Sequence, residues 1–368
     1  MKKIVIVAGD KSGDLYGGRL SKQLKEKFPS VKIYSFGGDV LAQHSQQMIN
    51  LLAHSVCGII EVLSSLKKLL NIFKKVKETI LDLKPDLIIL IDFPDFNLRL
   101  AKTLNKKFPL FYYISPQVWA WRKKRVKAIK KYVDKMIVLF KFEKAFYKNE
   151  GMDALYFGHP LLKIIEEVPH RDKHSTIEPL KKIISFLPGS RENEVKRHLP
   201  VMMKTKKILQ KELKGYQFQI VRPPNLEENF YEKFSPGMDI IIHSYEAIKK
   251  SDFIIACSGT ATVELAILEI PYIIIYKLNP LSWYILKKMV KTNFVGMINI
   301  LAGRKIVDEF LQKQADPEKI AVKTIEYLKN KEKYSGLKDE LKKIKDILSP
   351  LNATEKFADF IGEYLKLT

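Results

Sequence analysis

Short runs made almost entirely of isoleucine, leucine and valine constrain the fold of this 368-residue chain more than any other feature. The run Leu-Ile-Ile-Leu-Ile at 87–91 has no polar residue, so a strand built from it must be buried on both faces, as in a parallel sheet. Similar runs at 3–8, 253–257 and 272–276 each precede a turn. Because strands alternate with helical patterns, the sequence predicts an α/β protein built on parallel sheets.

The alternation breaks at residues 168–179, where proline, histidine and charged residues replace the periodic pattern. A chain of this length is expected to form about two domains. We therefore predict one Rossmann-like domain over 1–170 and a second over 180–345. A C-terminal helix within 350–368 has an apolar face and is expected to pack on the first domain or on a partner subunit.

The net charge indicates an anionic partner. Lysine and arginine exceed aspartate and glutamate by 64 − 41 = 23, which suits nucleic acid, an anionic membrane or phosphorylated substrates. Two cysteines provide neither a disulfide framework nor a metal cluster, so a reducing, cytoplasmic setting is expected. Since no run of about 18 apolar residues occurs, no membrane span is expected.

Asp92 is the candidate catalytic residue. It follows the buried run directly, and ligands of open α/β sheets bind outside the carboxyl ends of the strands. A carboxylate there could act as a base. The alternative role, capping the next helix, fits Asp95 and Asn97 better.

Glycine turns after strands predict anion-binding sites in both halves. In the first half the turn contains Gly9, Ser12, Gly13 and Asp14, and its spacing is neither that of a dinucleotide fingerprint nor that of a P-loop. The alternative is a tight turn without a ligand.

The second half repeats this arrangement. Arg191 follows a proline-glycine turn and suits a phosphate. Ser258, Gly259 and Thr260 open a helix whose amides suit a pyrophosphate, and Glu264, one turn later, could hold ribose hydroxyls. A plain helix cap is the alternative. Two further polar residues are Lys277, at the end of a strand, and Asn299, in a loop.

Two basic segments are each compatible with more than one role. Residues 59–76 have apolar positions at helical spacing with lysines between them, which indicates either a core helix or an amphipathic helix on an anionic membrane. Trp119 and Trp121 precede the basic segment 122–131, and such tryptophans could stack nucleic-acid bases. A buried strand follows at 135–140, which makes the basic segment a crossover helix instead.

Seven motifs together resemble the lipid-A-disaccharide synthase family. They lie in order at 9–14, 58–63, 91–97, 115–122, 158–160, 187–191 and 258–264. The string Ser-Pro-Gln-Val-Trp-Ala-Trp-Arg at 115–122 is very specific, and the match covers nearly the whole chain.

The resemblance implies an inverting glycosyltransferase of the GT-B architecture, with two Rossmann-like domains facing a cleft. It implies transfer of 2,3-diacylglucosamine from its UDP derivative to 2,3-diacylglucosamine 1-phosphate. The products would be the β-1,6-linked lipid A disaccharide 1-phosphate and UDP, and no metal or cofactor is expected. The family's base maps onto Asp92, and the Ser12–Gly13–Asp14 turn would face the acceptor. The implied UDP-donor residues are Arg191, Ser258, Gly259, Thr260, Glu264, Lys277 and Asn299.

The resemblance also favours a membrane role for the first amphipathic segment, because both substrates carry acyl chains. The enzyme is then expected to be peripheral on the inner face of the inner membrane, with a second copy of the chain as a candidate partner and no nucleic acid. The implied membrane face consists of Ile60, Val62, Leu63, Leu66, Leu69 and Leu70.

Four residues depart from the family pattern. Asp10 stands where glutamate is usual, Met297 and Ile298 stand where Leu-Pro is usual, and Lys141 replaces a common proline. None of them touches Asp92, so activity is expected to survive. The rival hypotheses are another UDP-sugar GT-B enzyme, a UDP-sugar epimerase, and a basic nucleic-acid-binding protein.

Overall fold

The computed structural model describes residues 1–53, 62–168, 182–280, 283–284 and 292–367, without the side chains of 62–68. The chain forms two compact units. Met1–Pro160 and Pro350–Thr368 make up the first, and Leu161–Ser349 makes up the second. Most of the predicted linker at 168–179 lies outside the described residues.

The first unit is built on a parallel sheet of seven strands in the order β3-β2-β1-β4-β5-β6-β7. The strands are β1 Lys3–Ala8, β2 Lys32–Gly37, β3 Gln46–Asn50, β4 Leu87–Ile91, β5 Leu110–Tyr113, β6 Lys135–Val138 and β7 Ala154–Tyr156. The helices between them are α1 Lys11–Lys27, α2 Asp39–Ala42, α3 Val62–Leu83, α4 Pro94–Leu104, α5 Arg125–Tyr132 and α6 Lys141–Asn149. Every residue of β4 is buried, as its composition predicts.

The second unit repeats this arrangement with six parallel strands in the order β10-β9-β8-β11-β12-β13. The strands are β8 Lys182–Leu187, β9 Tyr216–Arg222, β10 Asp239–Ile242, β11 Phe253–Cys257, β12 Tyr272–Tyr276 and β13 Glu309–Leu311. The helices are α7 Leu161–Glu166, α8 Glu192–Glu212, α9 Glu228–Glu232, α10 Tyr245–Lys249, α11 Ala261–Ile267, α12 Met297–Ala302, α13 Pro317–Lys329 and α14 Lys331–Ile347. The predicted α/β class with two parallel sheets is confirmed.

The last helix, α15 Ala353–Leu365, belongs to the first unit. Its aromatic residues pack on β5: the ring centroids of Phe111 and Tyr364 are 4.8 Å apart, as are those of Tyr113 and Phe357. The chain therefore returns to its first sheet after completing the second.

Each sheet has a point where the direction of winding reverses. In the first sheet the reversal lies between β1 and β4, and in the second it lies between β8 and β11. At such a point the loops after neighbouring strands diverge to opposite faces and leave a crevice, which is where ligands of doubly wound sheets bind. Within the part of the chain described, no helix combines the length and apolar character that crossing a bilayer requires.

Candidate active site

Asp92 lies in the crevice of the first sheet, directly after β4. Its backbone has φ = +40° and that of Phe93 has φ = +45°, so two consecutive non-glycine residues adopt the left-handed conformation. Such strain costs roughly 1–3 kcal/mol per residue and persists only where surrounding contacts impose it. The turn is therefore a built feature that aims the partly buried Asp92 side chain at the carboxyl edge of the sheet.

Two buried side chains hold this turn. The Asn97 amide nitrogen donates to the carbonyl oxygens of Ile91 at 3.1 Å and Asp92 at 2.9 Å. The Tyr112 hydroxyl, which comes from the neighbouring β5, donates to the Asp92 carbonyl at 2.6 Å. Both donors thus bind the backbone of Asp92, whereas its carboxylate accepts from the backbone amide of Phe93.

The surroundings of Asp92 raise the pKa of its carboxyl. Burial raises the pKa of its carboxyl, and the nearby Asp10 carboxylate raises it further, to about 7. Burial disfavours the charged form, and two like charges disfavour each other's ionisation. A carboxyl with a pKa near the working pH is suited to accepting a proton from a hydroxyl.

Most residues of the first glycine turn that were predicted to bind a ligand make contacts within the protein. A side chain on Gly9 would collide with the Phe93 ring at 2.1 Å, so glycine is required for the close approach of β1 to the Asp92 turn. Asp10 caps α1 by accepting from the Gly13 amide at 2.6 Å. Ser12 is half-buried in the first turn of α1.

Asp14 is buried, and its carboxylate accepts hydrogen bonds from the backbone amides at Gly38, Val40 and Leu41. These amides belong to the start of α2, so Asp14 ties α1 to α2. Burial raises the pKa of this carboxyl. The contacts of Asp14 are thus internal, and a role toward the acceptor remains a prediction.

The specific string at 115–122 is anchored by a buried polar network. Trp119 Nε1 donates to Glu143 Oε1 at 3.0 Å, and the Phe140 amide donates to Glu143 Oε2 at 3.1 Å. Ser115 Oγ lies 2.8 Å from the Tyr147 hydroxyl. Burial raises the pKa of Glu143 to about 8. The loop after β5 is therefore fixed by side chains of α6, which explains why its residue types are so specific.

The predicted membrane face is described only in part. Ile60 and the side chains of Val62, Leu63 and Leu66 lie outside the described residues. Leu69 and Leu70, on α3, are 47% and 54% exposed. Two adjacent leucines of the predicted face are thus open to solvent.

In the second unit, the polar groups meet at the carboxyl ends of β8, β11 and β12. Gly259 and Thr260 are exposed at the start of α11, and a side chain on Gly259 would meet nothing within 4 Å. The Arg191 side chain is 81% exposed, and its guanidinium donates to Glu194 at 3.0 Å. Glu194 also accepts from the Ser190 amide at 2.9 Å, so the amides before α8 are already capped by a carboxylate of that helix.

Glu264 is oriented by a histidine. His243 Nε2 lies 3.1 Å from one carboxylate oxygen, Glu264 Oε2. His243 follows β10, and Glu264 lies one turn into α11. The pair fixes one oxygen of Glu264 and leaves Oε1 available to accept from a hydroxyl.

A buried histidine joins two of the strand ends. His198 Nδ1 lies 2.9 Å from the Pro188 carbonyl, and the Lys277 backbone amide donates to His198 Nε2 at 2.9 Å. Since the carbonyl needs a donor and the amide needs an acceptor, the ring is neutral with its proton on Nδ1. Burial lowers the pKa of His198, which favours this neutral form. The turn after β8 and the end of β12 are thus held at a fixed separation.

Asn299 lies on the short helix α12 and not in a loop as predicted, and it is fully buried and bonded to the segment that follows the helix. Its amide nitrogen donates to the Val307 carbonyl at 2.8 Å and to Glu309 at 2.7 Å, and its oxygen accepts from the amides of Ile306 and Val307. Glu309 also accepts from the amide of Val295, whose carbonyl accepts from Ser258 Oγ at 3.3 Å. Asn299 therefore organises the loop that contacts Ser258.

Comparison with known proteins identifies the family. The family model for lipid-A-disaccharide synthetase matches residues 4–358. A lipid-A-disaccharide synthase of Syntrophus aciditrophicus is 37% identical, with 97% of this chain and 96% of the relative aligned. One of Persephonella marina is 38% identical, with 99% of each chain aligned. The chain belongs to the lipid-A-disaccharide synthetase family. The predicted activity, that of a lipid-A-disaccharide synthase and hence of a glycosyltransferase, is confirmed.

Solved structures show the architecture that this family member shares with other enzymes. S. aureus MnaA with UDP superposes with a TM-score of 0.70 at 14% identity, covering 100% of this chain and 98% of that one. The UDP-GlcNAc 2-epimerase of Neisseria meningitidis, bound to UDP-GlcNAc, also gives 0.70, at 13% identity, covering 98% and 100%. Spinosyn rhamnosyltransferase SpnG, complexed with thymidine diphosphate, gives 0.62 at 10% identity, covering the same shares. At such identities the likeness concerns the fold alone, and the predicted GT-B architecture is confirmed.

Several residues that shape the lipid-A-disaccharide synthetase site were missed by sequence reasoning. Tyr112, Glu143, His198, His243 and Glu309 were not singled out for a role. His243 had a local signal, because it directly follows an apolar strand, as Asp92 does. The others lie inside strands or helices or at a strand start, and their partners are distant in sequence. Among the described residues, no group of three or more histidines, cysteines and acids could hold a metal ion.

Proposed function

We propose that the chain transfers 2,3-diacylglucosamine from UDP-2,3-diacylglucosamine to the 6′-hydroxyl of 2,3-diacylglucosamine 1-phosphate, with inversion. The observation that carries the proposal is Asp92, whose carboxyl has a pKa raised to about 7 and stands in a strained turn at the reversal point of the first sheet. Family membership supplies the reaction class.

In this mechanism Asp92 accepts the proton of the acceptor hydroxyl. The hydroxyl oxygen forms a bond to the anomeric carbon of the donor on the face opposite the diphosphate. The bond between that carbon and the diphosphate oxygen breaks, and its electron pair leaves with UDP. A single displacement converts the α-linked donor to a β-linked product, so one base suffices and no covalent sugar intermediate forms.

The donor is proposed to contact six residues of the second unit. They are Arg191, Ser258, Gly259, Thr260, Glu264 and Lys277. The exposed amides at the start of α11 and the exposed Arg191 guanidinium support a diphosphate site. The free oxygen of Glu264 supports a ribose contact. Asn299 is proposed to act indirectly, because its polar atoms already bond to residues 306–309, and Glu309 in turn holds Val295, which contacts Ser258.

The first unit is proposed to bind the acceptor and to face the anionic inner surface of the inner membrane. The exposed Leu69 and Leu70, followed by the exposed Lys74 and Lys75 on the same helix, support this arrangement. The net charge of +23 supports attraction to anionic lipid.

The test is incubation of the purified chain with UDP-2,3-diacylglucosamine and the acceptor monophosphate in neutral-detergent micelles. We expect equimolar UDP and disaccharide 1-phosphate, identified by mass spectrometry, and a β-linkage by NMR. The alternative, a UDP-sugar epimerase, would consume no acceptor and return an isomer of the donor. That product pattern would replace the proposal.

Replacing Asp10 by asparagine tests the electrostatic tuning of Asp92. Removing the negative charge lowers the pKa of Asp92, so the acid limb of the pH profile of kcat/KM moves to lower pH, by about 0.5–1 unit. Asparagine still caps α1, because its side-chain oxygen can accept from Gly13. The matched control is Asp39→Asn, since the charge of Asp39 acts on Asp14 instead. An unmoved limb in Asp10→Asn would show that another group titrates.

A further inference from the structure

A cluster of two arginines, one tryptophan and one aspartate lies at the carboxyl edge of the first sheet. The Arg122 guanidinium lies over the Trp121 ring, 4.5 Å from its centroid, and that of Arg125 lies 6.0 Å from the same centroid. Both arginines also bind one oxygen, Asp95 Oδ1, with Arg122 Nη1 at 3.2 Å. We refer to Trp121, Arg122, Arg125 and Asp95 as the arginine cluster.

The arginine cluster adjoins the Asp92 turn. Asp95 is in the first turn of α4, three residues after Asp92, and its side chain is 74% exposed. Burial raises the pKa of Tyr112, and the positive charge of Arg125 acts in the opposite direction. Arg125 therefore lies within electrostatic reach of the Tyr112 hydroxyl, which donates to the backbone carbonyl of Asp92.

The cluster carries more positive charge than its internal partner can balance. Two guanidinium groups share a single carboxylate oxygen, and each guanidinium has five N–H donors. Arg122 adopts φ = +55°, a strained conformation for a non-glycine residue. Contact with the indole and with Asp95 restrains both guanidinium groups, so little conformational entropy is lost when an anion binds.

Stacking of a nucleic-acid base is the weaker explanation for Trp121. The guanidinium of Arg122 already covers the indole ring at 4.5 Å, and the loop that carries the tryptophan is anchored by the buried Glu143. A compact dianion that bridges two arginines fits this arrangement better than a planar base.

We propose that Arg122 and Arg125 bind the phosphomonoester of the acceptor sugar, an inference that rests on the proposed function. In the free enzyme Asp95 holds the two guanidinium groups in place, and a phosphate dianion bridges them when the acceptor arrives. The phosphate then fixes one end of the acceptor while Asp92 accepts the proton of its hydroxyl. The turn at Ser12 and Gly13 is left to contact the sugar.

The test compares phosphorylated and unphosphorylated ligands. Charge-assisted hydrogen bonds contribute about 1.5–3 kcal/mol, so Arg125→Gln should weaken binding of glucosamine 1-phosphate about 10–100-fold, measured by ³¹P NMR titration. In turnover, the enzyme's preference is measured as the ratio of kcat/KM for the acceptor 1-phosphate to kcat/KM for its dephosphorylated analogue. This ratio should fall by a similar factor. Arg125→Lys should recover part of the loss, since it keeps the charge but not the fork.

The controls separate this role from folding, from membrane attraction and from the reaction itself. Lys127→Gln removes one exposed positive charge from the same helix and should change neither measurement. If Arg125→Gln destabilises the fold, Arg122→Gln repeats the test at a more exposed position. Undiminished affinity for glucosamine 1-phosphate in both arginine variants would overturn the proposal. An equal loss of kcat/KM with the phosphorylated and the dephosphorylated acceptor, together with lost pelleting with phosphatidylglycerol vesicles, would overturn it as well. The NMR titration requires no turnover, so a wild-type enzyme that formed no disaccharide would count against the proposed function alone.

Discussion

Replacing Asp92 by asparagine is expected to lower kcat by about 10²–10⁴-fold, the contribution typical of a positioned general base. Asparagine has nearly the same shape, and the contacts that hold the turn go to the backbone of residue 92, so the fold should persist. UDP affinity should be unchanged, because the proposed donor residues belong to the second unit. Steady-state kinetics and a thermal-shift titration with UDP measure the two effects separately.

The same variant should be more stable than the wild type at alkaline pH. The carboxyl of Asp92 has its pKa raised from 3.8 to about 7 in the folded chain, so the folded state favours the protonated form. The wild-type free energy of unfolding should therefore fall as the pH rises from about 4 to about 7. Asp92→Asn lacks this titration and should gain about 1–2 kcal/mol at pH 8, after allowance for partial solvent screening.

The control for Asp92→Asn is Asp82→Asn, an exposed carboxylate of the first unit that should alter neither kcat nor stability. Turnover like that of the wild type in Asp92→Asn would remove Asp92 as the base. Loss of turnover together with loss of UDP binding would indicate a damaged fold instead.

The central strands were predictable because their composition admits no exposed face, whereas the isoleucine-rich β10, at the edge of the second sheet, is largely exposed. The apolar run in β4 admits no exposed face, so its place in the interior of a parallel sheet follows from its five residues. The location of Asp92 follows as well, since a charged residue directly after such a strand must emerge at its carboxyl end. Alternation between strands and helices then determines which edge of the sheet is available to ligands.

The details of the site depend on contacts that no local pattern encodes. His198 joins Pro188, ten residues away, to Lys277, 79 residues away, and only the folded sheet brings these groups together. Asn299 was expected to contact the donor because the family resemblance implies it, yet its hydrogen bonds are internal. An amide that binds a ligand and an amide that holds a loop have the same sequence signature.

The left-handed turn at Asp92 could not be predicted from the sequence either. Non-glycine residues rarely adopt positive φ, and the residue types Asp and Phe do not predict this conformation. The side chains that hold the conformation are Asn97, which was expected to cap the next helix but donates back to the turn, and Tyr112, for which no role was predicted. Gly9 supplies the space that the Phe93 ring occupies. The contacts that hold the strained turn thus come from three segments of the chain, which contain Gly9, Asn97 and Tyr112. Replacing Asn97 shows what the turn contributes to catalysis.

Asn97→Ala is expected to lower kcat about 10–100-fold and to reduce the free energy of unfolding by about 1–3 kcal/mol. The side chain is fully buried, and its loss removes this donor from the Ile91 carbonyl and leaves the Asp92 carbonyl with the Tyr112 hydroxyl alone. The released turn relaxes, and displacement of the Asp92 carboxylate by about 1 Å suffices for such a loss of rate. Asn97→Asp should be worse than Asn97→Ala, because a carboxylate cannot donate and repels both carbonyls.

A second asparagine on the same helix separates catalysis from stability. Asn105 ends α4 in the left-handed conformation and is exposed, so Asn105→Ala should also destabilise the fold but leave kcat unchanged. Urea unfolding and steady-state kinetics on the three variants then show whether lost stability alone lowers the rate. If Asn105→Ala and Asn97→Ala lost stability and rate in the same proportion, the hydrogen bonds of Asn97 to the turn would have no specific part in catalysis. A loss of rate confined to the Asn97 variants would mean that the strained backbone at Asp92 is maintained for the reaction.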